Sequence, residues 1–175
     1  MKGRREAREA ARKIKDIIID IAFTSNLKRA QQTLDEIKEV LHSKKILTYE
    51  NKALNERDYG ELTGKNKWKI KEEFGEEQFN KWRRSYNEKP PKGESLHDVY
   101  NRVIPYYTEK ILPELESGKN VIIAAHGNSL RALVKYLENI SDENISHLEI
   151  ATGEVYVYDI NDQGDIKHKE IRKLQ

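Results

Sequence analysis

Apolar residues along the 175-residue chain follow two periodicities, and the alternation between them predicts the fold. Residues 3–16 place Ala7, Ala10, Ala11 and Ile14 on one side of a charged stretch, which predicts a helix. Ile17 to Phe23 is apolar and β-branched except at Asp20, predicting a buried strand near 19–24. Ser25 and Asn26 suit a helix N-terminus, and Leu27, Ala30, Leu34, Ile37 and Leu41 continue at helical spacing over 26–42. A short strand is expected at 46–49. Residues 50–66 lack a period, contain Gly60 and Gly64, and read as a functional loop. Two short helices broken at Gly75 are expected over 66–86, then a turn at Pro90, Pro91 and Gly93. Ser95 and Asp98 have capping-box spacing, and Val99, Val103, Tyr107, Ile111 and Leu115 line one face of a helix ending at Gly118.

Val121 to Ala125 is a continuous apolar run, the pattern of a strand buried on both faces. His126, Gly127, Asn128 and Ser129 follow it, with a helix expected near 128–138 and a short one from Ser141. Residues 155–160 read as a strand and 166–172 as a polar edge strand. Strands alternating with helices predict a single three-layer α/β/α domain, 1–175, with a mostly parallel sheet. Functional residues in such folds collect at the carboxyl ends of strands, where His126 falls.

Charge changes this picture little. Charged residues make up 35% of the chain, yet the net charge is +2, so any anion site must come from local clustering of cations. The basic N-terminal stretch is interleaved with Glu6, Glu9 and Asp16, which fits a solvated helix better than nucleic-acid binding. Cysteine is absent, which excludes disulfides and thiolate-bound zinc. The other histidines, His42, His97, His147 and His168, lack metal-ligand spacing, so no metal is expected. No apolar run approaches the roughly 20 residues of a membrane span, and no secretory h-region is visible, so the expected location is the cytoplasm.

Four segments carry candidate chemistry. In AAHGNSLRALV, a buried strand delivers His126 beside the free N–H groups of a helix start, which favour an anion. A packing histidine is the plain alternative. ALNERDYGELTGKNKWK sets Glu56 among Arg57, Tyr59 and Lys67, as a proton-transferring carboxylate among cations would require, although an ordinary charged loop has the same composition. Trp82-Arg83-Arg84-Ser85 offers two adjacent guanidiniums for a phosphate or carboxylate, or else a solvated helix face. Arg29 lies in the first turn of a helix, where the helix dipole disfavours a cation unless an anion or an ion pair accompanies it.

Taken in order, AFTSNLKRAQQT, LNERDYGELTGKNK, WRRSYNEKPPKGESL and HGNSLRALVKYL resemble cofactor-dependent phosphoglycerate mutase, a group within the histidine phosphatases. The likeness runs from about residue 3 to the C-terminus. It implies that Glu56 gives and takes the proton of the substrate hydroxyl, and that His126 is the second histidine, stabilising the phosphoryl group in flight. It implies phosphate contact for Arg29, and phosphate and carboxylate contacts for Lys67, Arg83 and Arg84. Arg57, Asp58 and Tyr59 continue the substrate-binding segment, and Gly127 and Asn128 complete the pocket. The implied reaction interconverts 3-phosphoglycerate and 2-phosphoglycerate through a phosphohistidine, with 2,3-bisphosphoglycerate as the priming phosphoryl donor. A homo-oligomer is compatible with the family's habit.

Members of that family begin with a buried strand ending in Arg-His-Gly, whose histidine is the nucleophile. No such triplet occurs here, and residues 2–13 already resemble the helix that follows it. A strand, phosphate loop and connection would take roughly 20–30 residues. The resemblance therefore implies an N-terminally truncated chain: either a piece of a full mutase, which is the favoured expectation, or a shortened pseudoenzyme. It also implies a sheet lacking its first, central strand, lower stability, and negligible mutase activity for these residues alone. A phosphomonoesterase of the same superfamily and a non-catalytic anion-binding module are the competing functions.

Overall fold

Alanine sets the place of the first helix. In α1, Lys2–Lys13, the buried residues are Ala7, Ala10 and Ala11, and their small side chains let the helix lie close against α2, Lys28–Val40. Ile37 of α2 joins Ala7, Ala11 and Ile14 in one apolar cluster. The computed structural model describes residues 2–173; Met1, Leu174 and Gln175, which the single-domain expectation includes, lie outside them.

Three strands form a parallel sheet in the order β2–β1–β3, with β1 at Ile21–Thr24, β2 at Leu47–Glu50 and β3 at Val121–Ala124. All four residues of the central strand β1 are buried. Alternation along β1 divides the core. Ile21 and Phe23 face Val99 and Val103 of α5, Leu96–Tyr106, and Leu133 of α7, Gly127–Leu137. Ala22 faces Leu34 of α2 on the other side. Helices thus cover both faces, giving the expected three layers.

Local signals act as their chemistry dictates. Ser95 and Asp98 form the reciprocal capping box that opens α5. Pro105 lies inside that helix, which continues through a π turn at Tyr107–Ile111 and then α6, Leu112–Glu116. Gly75, at φ 85°, separates α3, Lys67–Phe74, from α4, Glu76–Arg84. Leu62, Ile70, Phe79 and Trp82 bury together beneath these two helices, whereas Trp68 is 77% exposed. The expected helix from Ser141 is a single 3-10 turn, Asn144–His147.

Two expectations are corrected by the sheet. The last strands, β4 (Val155–Ile160) and β5 (Ile166–Arg172), do not join the parallel sheet but form an antiparallel hairpin of their own. Val121, Ile122 and Ile123 are only half-buried, not enclosed on both sides. The cause is that, among the described residues, β3 pairs with β1 alone and β4 with β5 alone. Their other edges flank a cavity of about 850 Å³, walled also by Ala7 and Ala10 of α1 and Leu133 and Val134 of α7. β3 and β4 therefore neither pair with each other nor bury their apolar faces fully.

Backbone amides on the cavity side of β3 and β4 have no ladder partner among the described residues. Hydrogen-exchange mass spectrometry or NMR should find them exchanging at least about tenfold faster than those of β1. Equal protection of both sets would show that the two sheets join in solution.

Candidate active site

β3 ends at Ala124, and the chain turns through Ala125 to His126, the residue that precedes α7. The His126 amide donates to Ser129 Oγ at 3.1 Å, fixing the turn. Beside it, β1 ends at Thr24, whose hydroxyl donates to the carbonyl of Ala124 at 2.7 Å. This bond ties the carboxyl ends of the two strands together and places Ser25 against the imidazole.

The hydrogen bonds of His126 assign its tautomer. Arg29 Nε donates to Nδ1 at 3.1 Å, so Nδ1 carries a lone pair. Nε2 then bears the proton and donates it to Ser25 Oγ at 2.7 Å. The ring is buried. Burial lowers its pKa, and the nearby charges of Arg29 and Arg102 lower it further, against an opposing pull from Glu56. A neutral, N–H-donating imidazole results.

Glu56 arrives from the loop between the 3-10 turns Lys52–Leu54 and Gly60–Leu62. Its Oε1 accepts from the Arg57 amide at 2.8 Å and the Asn128 amide at 3.2 Å. The second of these bonds joins the carboxylate to the first turn of α7, where free N–H groups favour negative charge. A side chain at Gly127 would begin 3.9 Å from Glu56 Oε2, so the two elements approach closely there. Arg29, Glu56, His126 and Gly127 line one cavity, the same space that separates β3 from β4.

The remaining candidates are placed unevenly. Asn128 Nδ2 donates to Tyr59 Oη at 3.2 Å, which puts both beside Glu56. Arg57 is buried, stacks its guanidinium 4.9 Å from the centre of the Tyr59 ring, and donates to the carbonyls of Glu94 and Glu88. Its Nη1 has no hydrogen-bond partner among the described residues. Asp58 is exposed and turns back to accept from the Gly60 amide at 2.8 Å. Lys67 is exposed at the start of α3 and has no ion-pair partner among the described residues. The adjacent guanidiniums diverge: Arg83 lies over the Phe79 ring at 5.6 Å, and Arg84 pairs with Glu149 at 3.2 Å. Lys67, Arg83 and Arg84, like Arg57, Asp58, Tyr59 and Asn128, stand outside the walls of the cavity that Glu56 and His126 line.

Two residues of the site were not singled out by the sequence pattern as site residues. Ser25 is fully buried against His126, a place that its helix-start spacing does not signal. Arg131 is buried, donates to Asn128 Oδ1 at 3.1 Å and to the carbonyl of Ile145 at 2.7 Å, and reaches the carbonyl of Arg84 at 3.4 Å. It thereby orients the Asn128 amide and links α7 to the end of α4. Its signal in the sequence is a lone cation inside the apolar run LRALV, on a face that packs inward.

A profile of the histidine phosphatase superfamily (branch 1) matches residues 1–170. The chain belongs to that superfamily. Among its relatives, the 2,3-bisphosphoglycerate-dependent phosphoglycerate mutase of Parvibaculum lavamentivorans is 49% identical over 97% of this chain and 81% of its own length. The protein of the same name from Chelativorans sp. is 51% identical over 97% of this chain and 83% of its own length. Among solved structures, Bacillus stearothermophilus YhfR superposes with a TM-score of 0.80 at 21% identity, covering 94% of this chain and 79% of the other. A mycobacterial glucosyl-3-phosphoglycerate phosphatase gives 0.78 at 22% identity, covering 97% and 83%. These likenesses establish the histidine-phosphatase fold, and the mutase relatives establish the enzyme group.

For this superfamily member, the buried neutral His126 has a consequence for stability. Its folded pKa lies below the unfolded value of about 6.5, so the unfolded chain binds the extra proton first. Its contribution should be fully present above that value and lost as pH falls through it toward the folded pKa. Urea unfolding between pH 8 and pH 5 should show this decline, and His126→Gln should flatten it.

Proposed function

We propose that the site interconverts 3-phosphoglycerate and 2-phosphoglycerate, with Glu56 as the group that gives and takes the hydroxyl proton. The observation that carries this reading is the convergence of Glu56, His126 and Arg29 on one cavity at the start of α7. A carboxylate facing an N–H-rich anion pocket suits movement of a phosphoryl group between neighbouring hydroxyls. In this reading His126 donates from Nε2 to the phosphoryl oxygens once substrate displaces its bond to Ser25. Arg29 and the amides of Gly127 and Asn128 hold the phosphate, while Lys67, Arg83 and Arg84 swing from their outward positions to take the second anionic group. Tyr59 shapes the pocket through Asn128, and Arg57 and Asp58 hold the Glu56 loop in place.

The donor set is rich in N–H groups, and no cluster of metal-binding side chains occurs among the described residues. It fits 2,3-bisphosphoglycerate, the cofactor in the relatives' names. That compound supplies a phosphoryl group when bound; Arg29, Lys67, Arg83 and Arg84 would hold its charges. The 175 residues contain no Arg-His-Gly triplet, and both histidine nitrogens of His126 are engaged. We therefore expect these residues alone to bind phosphoglycerate without turning it over.

Calorimetry with 3-phosphoglycerate should show saturable binding, weakened about tenfold or more by Arg29→Met, which removes a charge-assisted contact. A coupled assay on the same protein should show no isomerisation; turnover would refute the need for an added nucleophile, and absence of binding would refute the site. In a chain extended by the family's Arg-His-Gly strand, Glu56→Gln should lower turnover by about a hundredfold or more while binding changes little. Phosphate release without isomerisation in that extended chain would instead identify a phosphomonoesterase.

A further inference from the structure

Arg102 lies on α5, outside every segment that points to the reaction, yet its guanidinium is committed to the loop that carries Glu56 and to Glu94, which braces that loop. Nε and Nη2 donate to the two carboxylate oxygens of Glu94 at 2.8 and 3.0 Å. Nη1 donates to the carbonyls of Ala53 at 2.6 Å and Asn55 at 3.0 Å, and Nη2 also reaches the carbonyl of Glu56 at 3.2 Å. One planar fork thus holds three carbonyls in four consecutive residues.

Glu94 completes the clamp from the other side. Its Oε2 accepts from the Asp58 amide at 2.9 Å, and its own amide donates to the Asp58 carbonyl at 2.7 Å. Burial works against the charge of Glu94, but Arg102 and the Asp58 amide outweigh it and hold the carboxyl below its usual range. The loop then meets the 90–93 turn without a gap. Gly60 has φ 56°, and a Cβ there would come within 2.2 Å of the Pro91 carbonyl oxygen.

We propose that Arg102 is a positioning residue that sets where the Glu56 carboxylate meets α7. The bond that reports this position is Asn128 N–H to Glu56 Oε1, formed between two elements that Arg102 does not bridge directly to each other. Lysine keeps the charge but concentrates its donors on one nitrogen, so it cannot span the Glu94 carboxylate and three carbonyls at once. Geometry and charge are therefore separable at this position.

The test is solvent exchange of the Asn128 amide by NMR in the 175-residue protein carrying Arg102→Lys. Loss of a hydrogen bond to a carboxylate should speed that exchange about tenfold or more, as Glu56→Ala does directly, while the Leu133 and Val134 amides in the interior of α7 keep their rates. Glu94→Gln, which retains the side-chain shape, should give a smaller acceleration at Asn128 and serves as the measurement should Arg102→Lys unfold the protein. Unchanged Asn128 exchange in the variants that fold, with acceleration in Glu56→Ala, would overturn the proposal. So would equal acceleration along the whole of α7, which would mark Arg102 as a general stabiliser. None of these outcomes depends on which phosphate ester the site accepts.

Discussion

The site rests on the register between β1 and β3. Their parallel pairing sets Ile21 against Val121 and Thr24 against Ala124, so both strands end at the same level. Whatever follows each strand is therefore delivered to the same place: Ser25 and Arg29 from one, His126 from the other. Thr24 fixes that level with a side-chain bond to the Ala124 carbonyl. A one-residue slip would turn the apolar residues of β1 to the wrong layers and also part the imidazole from both of its partners. Core packing and site assembly are thus enforced by the same pairing.

A second layer of control lies in main-chain carbonyls captured by guanidiniums. Arg57 spends itself on the carbonyls of Glu94 and Glu88, Arg102 on three in the Glu56 loop, and Arg131 on those of Ile145 and Arg84. The loops here lack the ladders that would satisfy their backbone, and buried carbonyls need donors. Arginine supplies several in one plane. The same guanidiniums bring positive charge beside the Glu56 loop and the start of α7.

Much of this was legible in the sequence because it is written in local patterns. The helix at Leu34 and Ile37, the capping box at Ser95 and the break at Gly75 each follow from a few neighbouring residues. The strand–His–Gly–Asn–helix passage likewise places His126 at a strand end without knowledge of the rest. The separate β4–β5 hairpin was not legible, because alternation along a strand does not state its partner. Nor were the roles of Ser25, Arg102 and Arg131, each of which has a partner distant along the chain, 101, 46 and 14 residues away. A polar residue in an apolar helical face marks that something is bound there, but not what. The likeness of four motifs to a known family supplied the proposed roles that periodicity alone left open.

The two tryptophans are placed very differently. Trp82 is packed against Phe74 and Phe79 under α3 and α4, whereas Trp68, next to Lys67, stands in water. Their emission should therefore differ in colour, blue-shifted from the first and red-shifted from the second. The chain contains no other indole. Intrinsic fluorescence can thus separate an inward swing of the Lys67 helix, which would shift the red component, from loss of the buried core, which would shift the blue one.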